Sequence, residues 1–583
     1  IVDGYLDPDS QLGQEEKLSL IRWIRGQDSF DADRDGDRFE SRRWLLAAPL
    51  HSRPLAISYG ARPGTAFSAN NPDVRIFFGT TDGMFHMLQN TAESGAESGR
   101  ETWAFVPHEL LGLQAVLAGR RNGAYGSPSY GLDGEAVALI EDRDRDGNIE
   151  NSEGDSVRVF IGQRRGGRGI FAFDMTDPDD PHYLWSISNL TPGFEQLALT
   201  FSTPRVAHLD LGGSAPTPML VFAGGYNGGW KGSMRAGKDA GGGDDLVGNA
   251  IYVVDPADGS LLWRAVGPGE GTAAILNEDD LFVAELTESI PSPLTLLDAD
   301  NNGVHDRAYV GDSGGNIWRI DFTELQRPLT DTDVAASSNW HLTRLATLGG
   351  AGQDDRRFFH APDVAQSRDG SGEYDGVLIV SGDRAAPREL EVRNFAYLLK
   401  DRHTARSGES VAQGEMKHMR LADITDSCKV AASDVCTGSD FSLGWRLELL
   451  APGEKGLSTP VVSNGKVVFT SYVPYAGKGL PNSPDQCGSQ EGFGRLYAVH
   501  MGDGSSATPA LGKLRLEEEP AEDTELAVSE RYQSIGSGLP GDVVPIGDQL
   551  LIPGAGIEEQ PLLSISGRTW WRSYWREEEV DTF

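Results

Sequence analysis

One segment of the sequence repeats acidic side chains at the spacing of a calcium-binding loop. Counted from Asp142, it has carboxylates at positions one, three, five, nine and twelve, with Gly147 at position six. Ca²⁺ takes about six to eight oxygen ligands, and alternate acidic side chains converge on it only around a sharp turn that glycine makes readily. The carbonyl at position seven and a bidentate glutamate at position twelve complete such a site. The expected ligands are Asp142, Asp144, Asp146, Asn148 through its carbonyl, Glu150 and Glu153.

A second segment is a shorter version of the same pattern. It begins at Asp298, has oxygen-bearing side chains at positions one, three, five and nine, and has Gly303 at position six. The alternative for both segments is a solvated acidic turn, since Asp, Asn and Gly are ordinary turn residues. We favour calcium because alternating acids around a central glycine are more than turn formation requires. The expected ligands are Asp298, Asp300, Asn302, Val304 through its carbonyl, and Asp306.

A third acidic run, from Asp31 to Asp37, starts in the same way but does not continue it. Phe39 occupies position nine and Arg42 position twelve, and neither side chain is an oxygen ligand for calcium. Glu40 would take the place of a missing ligand only after a small rearrangement. The sequence therefore leaves open whether the loop from Asp31 to Glu40 binds a metal.

Strands flank both calcium-type loops, and most of the chain reads as β-structure. Short apolar runs are separated by Gly, Asp and Asn, and the chain contains 72 glycines. The exception is residues 16–26, where Leu18, Ile21 and Ile24 recur at helical spacing before Gly26. We expect an all-β protein with one short N-terminal helix.

The strands recur as similar groups, each of which ends near a tryptophan in its best copies. Seven copies closing on one another would form a β-propeller, in which few strand edges are exposed. The recurrent Trp103, Trp185 and Trp263 suggest aromatic packing between neighbouring blades. The fold class is thus a modified, quinoprotein-like β-propeller of about seven blades. Its copies are residues 74–107, 157–185, 219–263 and 308–322, with weaker ones beginning near Val377, Val467 and Val543.

The same pattern gives a domain division. Residues 1–45 form an N-terminal lead with the helix and an acidic loop, and residues 46–583 form the propeller. Intervals between the tryptophans exceed the ~40 to 50 residues of a minimal blade, so loops have been inserted, conspicuously near 224–248 and 404–440. Long loops on a rigid scaffold are common binding elements. The chain begins without an initiator Met, so we expect a mature form or a fragment.

Composition excludes several function classes. The formal net charge of −36 repels a phosphate backbone and argues against nucleic acid as a partner. No apolar stretch approaches the ~18 residues needed for a transmembrane helix. Three cysteines are too few for a disulfide-built scaffold, although Cys428 and Cys436 would close one loop in an oxidising compartment, leaving Cys487 over.

Six segments, taken in order, resemble the C-terminal domain of the PilY family of type IV pilus tip and biogenesis proteins. They extend over about residues 20–325, and chance would not readily produce their order. The sequence departs from the family at Ala47 and Ala48, where a Gly-Asp pair is usual, which puts any role of that position in doubt. The segments are WIRG from Trp23, HSRP from His51, GTTDGMFH from Gly79, WAFVP from Trp103, RGGRGIFAFDMTDP from Arg165 and YVGDSGGNIWRID from Tyr309.

The resemblance implies a non-enzymatic, calcium-regulated protein on the cell surface or at the pilus tip, associated with the outer membrane. Such a protein promotes pilus extension over retraction and supports twitching motility, fimbrium biogenesis and cell adhesion. Its partners would be pilus subunits, namely minor pilins, and host or abiotic surfaces. The family's calcium loop maps onto the one that begins at Asp298, whereas the loop at Asp142 rests on its spacing alone.

A second family is the alternative. Tryptophan-marked segments such as 255–263 also resemble pyrroloquinoline quinone (PQQ) dependent dehydrogenases, which use Ca²⁺ beside the cofactor. Those enzymes typically carry adjacent cysteines over the quinone, and no two cysteines adjoin in this chain. Their calcium lies in the central channel, whereas both loops here belong to turns between strands. We therefore favour the pilus protein over the dehydrogenase.

Overall fold

The computed structural model describes most of the chain from Leu6 to Ser564. Its described residues form two compact units, one from the residues up to Val206 together with Val254–Leu261, the other from Ala207–Val253 and the residues after Leu261. The described residues are 6–7, 12–120, 129–228, 230–231, 234–235, 238–240, 243–269, 280–322, 340–404, 418–428, 436, 439–463, 465–474, 492–507, 531–546, 549–551 and 563–564.

The first unit begins with the helix expected from the sequence. Helix α1 spans Gln14–Ile24, and the Glu16 side chain accepts the backbone N–H of Gly13 at its start. The chain leaves the helix through Gly26, whose φ of +94° suits glycine. Leu18 and Ile21, whose spacing indicated the helix, are exposed.

The residue that anchors α1 is Leu20, which is fully buried. It packs in a small cluster with Leu6 and Ala115, and Ala115 lies on a second helix, α2, Leu111–Leu117. The sequence analysis did not predict α2. Among the described residues, no helix combines the length and apolar character needed to cross a bilayer.

Two four-stranded antiparallel sheets complete the first unit. Their inner strands carry long buried runs, because both faces pack against protein. Trp103 lies edge-on to Phe173 of the next sheet, with ring centroids 5.5 Å apart, as the expected aromatic packing requires. The sheets are β1 Leu55–Ser58, β2 Val74–Gly79, β3 Phe85–Thr91 and β4 Glu97–Phe105, then β5 Ala136–Glu141, β6 Ser156–Gly162, β7 Gly169–Asp174 and β8 His182–Ser188.

The other sheets lie in the second unit, except that a few residues at the ends of three of their strands belong to the first unit. In the first of them the strand order is 15-14-13-10-9, so the segment 224–248 connects two neighbouring strands, β10 and β13. That segment holds a separate two-stranded hairpin of β11 and β12. The strands are β9 Arg205–Leu209, β10 Thr217–Ala223, β11 Trp230–Lys231, β12 Met234–Arg235, β13 Ala250–Val254, β14 Leu261–Val266 and β15 Leu281–Phe282.

Two five-stranded sheets follow, and the segment 404–440 adds an edge strand to each. Strand β23 pairs with β19, and β24 pairs with β25, both in parallel. A disulfide joins Cys428 and Cys436 in the same segment, whereas Cys487 lies outside the described residues. The sheets are β16 Thr295–Leu297, β17 Arg307–Gly311, β18 Asn316–Asp321, β19 His341–Thr347 and β23 Met419–Arg420, then β20 Asp363–Asp369, β21 Gly372–Val380, β22 Phe395–Asp401, β24 Thr425–Asp426 and β25 Gly444–Glu448.

The last two sheets coincide with the weaker copies near Val467 and Val543. Each of the copies that the sequence indicated is therefore a sheet in the described structure, and the all-β class is confirmed. Their closure into a ring of about seven blades, and the domain boundary at residue 45, stay predictions. The strands are β26 Lys455–Gly456, β27 Val461–Ser463, β28 Lys466–Val473, β29 Phe493–His500 and β30 Tyr532–Ser537, then β31 Val544–Ile546, β32 Gln549–Leu551 and β33 Leu563–Ser564.

In two places a tryptophan of a strand covers a glycine turn elsewhere in the same unit. The indole N–H of Trp445 donates to the carbonyl of Met501 at 2.9 Å, and the ring lies on Gly504. In the first unit, the N–H of Trp185 donates to Pro256 in the same way, and its ring lies on Gly259. Both glycines have positive φ, so an indole and a turn without a side chain fit together.

Candidate metal centre

The acidic segment that begins at Asp298 is the turn of a β-hairpin. Strands β16 and β17 are antiparallel with Leu297 opposite Arg307, and the backbone N–H of Asp306 donates to the carbonyl of Leu297. The hairpin position expected from the sequence is confirmed. The strands hold the two ends of the turn together, which brings its first and ninth positions close in space.

Three of the expected ligands of this turn converge. One carboxylate oxygen from each of Asp298, Asp300 and Asp306 lies within 4.8 Å of the other two. Asp298 accepts the N–H of Gly303 at 2.9 Å, and the side chain of Asn302 accepts the N–H of Val304 at 2.7 Å. The turn therefore gathers oxygen atoms on its inner side, where a hard cation is the complementary ligand.

Asp306 is the buried member of this cluster, with only 2% of its surface exposed. Oδ2 accepts the N–H of Ala299 at 2.7 Å, whereas Oδ1 is buried and has no hydrogen-bond partner in the described part of the chain. Burial raises the pKa of Asp306 to about 6, and the charges of Asp300 and Asp298 act in the same direction. A buried carboxylate oxygen without a donor is costly, and a bound cation would satisfy it.

The segment that begins at Asp142 is also a hairpin turn, between β5 and β6, with Glu141 opposite Ser156. The expected strands on both sides are confirmed. One carboxylate oxygen each of Asp142, Asp144 and Asp146 lies within 4.8 Å of the other two.

The later positions of this loop are arranged differently from the first three. Glu150 and Glu153 are not placed in that close group, although the charges of Asp144 and Glu150 raise the pKa of Glu153. The carboxylate buried at the base is instead Asp155, which accepts the N–H groups of Arg143 and Glu150, each at 2.9 Å. These two bonds are the main causes that lower the pKa of Asp155. Sequence reasoning missed Asp155 because it lies beyond the twelfth position of the loop.

Asn148 ties this loop to a neighbouring segment of the same unit. Its side-chain oxygen accepts the N–H of Ala61 at 2.7 Å, and its amide donates to Asp146 at 2.6 Å. Gly60 leaves the room for this contact, since a Cβ there would lie 2.4 Å from the Asn148 oxygen. The backbone N–H of Ile149 also donates to Tyr59. The position of the loop thus depends on residues 59–61.

All three acidic segments share two backbone torsions and one hydrogen bond, although Asp31 alone among their first residues has positive φ. The fourth position of each has positive φ, the glycine at position six has positive φ as well, and the glycine N–H donates to the first aspartate. The fourth positions are Arg34, Arg145 and Asn301, and the glycines are Gly36, Gly147 and Gly303. These features of the two predicted loops therefore occur in the third.

The three segments also share a buried carboxylate that accepts the N–H of position two. This carboxylate belongs to Asp306, Asp155 and, in the N-terminal segment, Asp28. Only Asp306 lies within the expected ligand set. The ligand assignments from sequence stay predictions, and the structure adds these buried carboxylates to them.

Comparison with known proteins shows that the chain is similar to PilY1 proteins. Residues 54–343 match the model of the PilY1 beta-propeller domain. The type IV pilus biogenesis factor PilY1 of Pseudomonas aeruginosa (strain UCBPP-PA14) is 28% identical over 348 residues, which are 56% of this chain and 25% of that protein. A PilY1 homologue of Xylella fastidiosa (strain Temecula1) is 23% identical over 539 residues, which are 85% of this chain and 32% of that protein. The chain thus spans about a quarter to a third of these relatives.

A solved structure of a PilY1 protein also supports the fold. The crystal structure of the Pseudomonas aeruginosa PilY1 C-terminal domain superposes with a TM-score of 0.51 at 17% identity, and the match covers 82% of this chain and 91% of that one. At this identity the likeness concerns the fold alone. An all-β, propeller-like architecture is therefore established.

Proposed function

Because residues 54–343 are a PilY1 beta-propeller domain, the family that the sequence resembles, we propose that this chain is the propeller part of a type IV pilus biogenesis factor. The observation that carries the proposal is the match of this domain together with relatives whose established role is pilus biogenesis. Its partners are then pilus subunits, particularly minor pilins, and surfaces to which pilated cells adhere. Its location is the cell surface or the pilus tip, in association with the outer membrane.

Calcium is the proposed regulator. The turn formed by Asp298, Asp300 and Asp306 supports it most directly, because a buried oxygen of Asp306 has no hydrogen-bond donor among the described residues. Asn302 and the carbonyl of Val304 complete the proposed ligand set. The ion would neutralise clustered carboxylates and fix the turn between β16 and β17.

The loop at Asp142 is proposed as a second calcium loop on the same grounds of charge and backbone conformation. Asp142, Asp144 and Asp146 converge, and the carbonyl of Asn148, Glu150 and Glu153 complete the proposed set. Extracellular calcium modules bind with dissociation constants of about 10⁻⁴ to 10⁻³ M, so occupancy would respond to the calcium level outside the cell.

Ordering a loop in this way favours one conformation of the surface around it, and a partner that binds that conformation is then bound more tightly. We propose that pilus extension is favoured over retraction in this state, and that twitching motility and adhesion depend on it. The role is non-enzymatic: the domain binds and is regulated, and no reaction is required of it.

A genetic experiment tests the proposal. Deleting the gene is expected to remove surface pili and twitching, and the wild-type gene is expected to restore both. If the protein opposes retraction, pili should reappear in the deletion strain when retraction is also disabled. Unchanged piliation in the deletion strain would refute the proposal.

The calcium part has its own variants. Because extension is proposed to be favoured in the calcium-bound state, Asp298→Ala is expected to restore fewer surface pili to the deletion strain than the wild-type gene does, at any calcium concentration. Asp210→Ala, which changes an exposed aspartate of the same unit outside the clusters, should behave as wild type. For the dehydrogenase alternative, purified protein mixed with pyrroloquinoline quinone and an alcohol should give neither a bound chromophore nor oxidation. Turnover in that mixture would favour the enzyme.

A further inference from the structure

The acidic segment next to helix α1 is closed at its base like the two hairpin turns, although no named strands flank it. Gln27 and Ser41 form an antiparallel bridge, and the backbone N–H of Asp28 donates to the carbonyl of Glu40 at 2.9 Å. The enclosed segment carries six carboxylates and two arginines, Arg34 and Arg38. The carboxylates are Asp28, Asp31, Asp33, Asp35, Asp37 and Glu40.

Asp28 is the buried carboxylate of this segment, with 3% of its surface exposed. Oδ2 accepts the N–H of Ala32 at 2.9 Å, whereas Oδ1 is shielded from solvent and has no hydrogen-bond partner among the residues that the structure describes. Asp306 has the same arrangement in the hairpin turn of the second unit. An anionic oxygen that is buried without a donor indicates a missing positive partner.

The surrounding acids supply the other sides of a site. One carboxylate oxygen from each of Asp28, Asp33 and Glu40 lies within 4.8 Å of the other two. A second group, Asp31, Asp33 and Asp35, overlaps the first through Asp33. Like charges this close repel one another, and the charge of Asp35 is the largest cause that raises the pKa of Glu40.

We propose that Asp28, Asp33 and Glu40 hold a hard divalent cation, Ca²⁺, with Asp31 and Asp35 completing its oxygen shell. This ligand set accounts for the mismatch in sequence, where Phe39 and Arg42 stand at the ninth and twelfth positions: the buried ligand comes from before the loop instead of from its end. Ca²⁺ suits the site better than Mg²⁺, because it accepts more oxygens in a less regular arrangement.

The ion would fix this segment beside α1. Ser29, adjacent to Asp28, donates to the carbonyl of Ser19 in the helix at 2.6 Å, and the guanidinium of Arg42 lies 3.9 Å from the ring centre of Trp23. The site lies before residue 54 and shares no carboxylate ligand with the two hairpin turns, so it is proposed separately from them.

Trypsin cleavage reports on this loop directly, because trypsin cleaves after arginine and both Arg34 and Arg38 are exposed in the loop. The full chain is digested in calcium or in chelator, and cleavage after these arginines is measured by mass spectrometry relative to cleavage after the exposed Arg388. At a calcium concentration ten times the dissociation constant, cleavage in the loop is expected to slow about tenfold, because only the free loop opens.

The variants assign the ligands. Asp28→Asn and Glu40→Gln should each abolish the calcium protection and lower the calcium bound per chain by one. Asp37→Asn is the matched control, because Asp37 belongs to the same loop but to neither carboxylate group, and it should keep the protection. If Asp28→Asn does not fold, Glu40→Gln, which changes a less buried side chain than Asp28, decides alone.

Three outcomes would overturn the proposal. They are equal cleavage of the wild type with and without calcium, protection that survives in Glu40→Gln, and loss of protection in Asp37→Asn, which would trace the effect to net charge. Protection by Mg²⁺ at the same concentration as by Ca²⁺ would overturn the choice of ion. None of these results depends on whether Asp298→Ala changes piliation.

Discussion

The carboxylate of Asp306 accepts the backbone N–H of Ala299 across the turn between β16 and β17, at a distance of 2.7 Å. Oδ2 of the carboxylate therefore has a hydrogen-bond donor, whereas Oδ1 is buried without a donor among the described residues. One carboxylate oxygen of Asp306 lies within 4.8 Å of one oxygen each of Asp298 and Asp300. A cation at that position would be held by the fold itself, because the bond joins the two arms of the hairpin.

The first prediction concerns the calcium count. Asp298→Ala is expected to lower the calcium bound per chain by one, as measured by titration calorimetry and elemental analysis, because it removes the ligand at the first position of the cluster. The fold should persist, since Asp298 is a turn residue. Asp210→Ala should bind as wild type does, and an unchanged stoichiometry in Asp298→Ala would refute the assignment.

The second prediction concerns the support of the Asp142 loop. Gly60→Ala places a methyl group 2.4 Å from the Asn148 side-chain oxygen, so the loop must move and the bond from Ala61 is lost. Calcium affinity at this loop should fall, while the site at Asp298 is unaffected. Gly64→Ala is the control, because Gly64 also has positive φ but has no atom near its would-be Cβ. Equal affinities in the two variants would contradict the role of Asn148.

The third prediction concerns the glycine under Trp445. Gly504→Ala imposes a positive φ on alanine and brings its Cβ within 3.0 Å of the indole and 2.7 Å of Ser427, so stability should fall by about 1 to 3 kcal/mol. Gly502→Ala, two residues earlier, meets open space and should change the melting temperature little. Thermal unfolding of both variants measures the difference, and similar melting temperatures would contradict it.

The fourth prediction concerns pH. Burial raises the pKa of Glu288 to about 8, with Asp312 and Asp245 acting in the same direction and Lys238 against them. The folded chain therefore keeps a proton that the unfolded chain loses near its ordinary value of 4.5, and stability falls as the pH rises from about 4.5 to 8.

Removing the carboxyl group should remove this dependence. In Glu288→Gln the urea midpoint of unfolding should decline less between pH 5 and 9 than in wild type. A difference of one bound proton between the folded and unfolded chains changes the free energy of unfolding by ~1.4 kcal/mol per pH unit, and solvent screening reduces this effect for a partly exposed group. Glu285→Gln changes an exposed neighbour and should retain the wild-type slope. Parallel slopes in all three proteins would rule out Glu288 as the cause.

The fifth prediction concerns the cysteines. With Cys428 and Cys436 joined, thiol titration of the denatured chain should give one thiol before reduction and three after it. Cys436→Ser should lower stability by about 2 to 3 kcal/mol, as expected for opening a short disulfide loop. Three thiols without reductant would show that the bond does not form.

Much of the fold could be predicted because strands and turns leave local signals. Short apolar runs separated by Gly, Asp and Asn indicated the strands around residues 74–107 and 157–185, and the acids around Gly147 and Gly303 indicated hairpin turns. Helix α2 was missed, since a seven-residue apolar stretch containing Gly112 does not separate helix from strand by periodicity.

The buried carboxylates could not have been found by spacing. Asp28 precedes its loop, and Asp155 follows the twelfth position of its own loop. Each reaches the site because the backbone closes at the base of the loop, and neither occupies a position that the motif specifies. The same reason explains α1, where contact with α2 and not helical periodicity decides that Leu20 is buried and Leu18 is exposed.

The contact of Trp445 with the turn at Gly504 also bears on how such chains diverge. Trp445 belongs to a buried apolar seam between two consecutive sheets of the second unit, which Leu398, Phe469 and Tyr497 continue, and it covers the turn at Gly504. Connections away from this seam would then change in length without altering how the two sheets pack, and the surfaces that they present to other molecules would change with them.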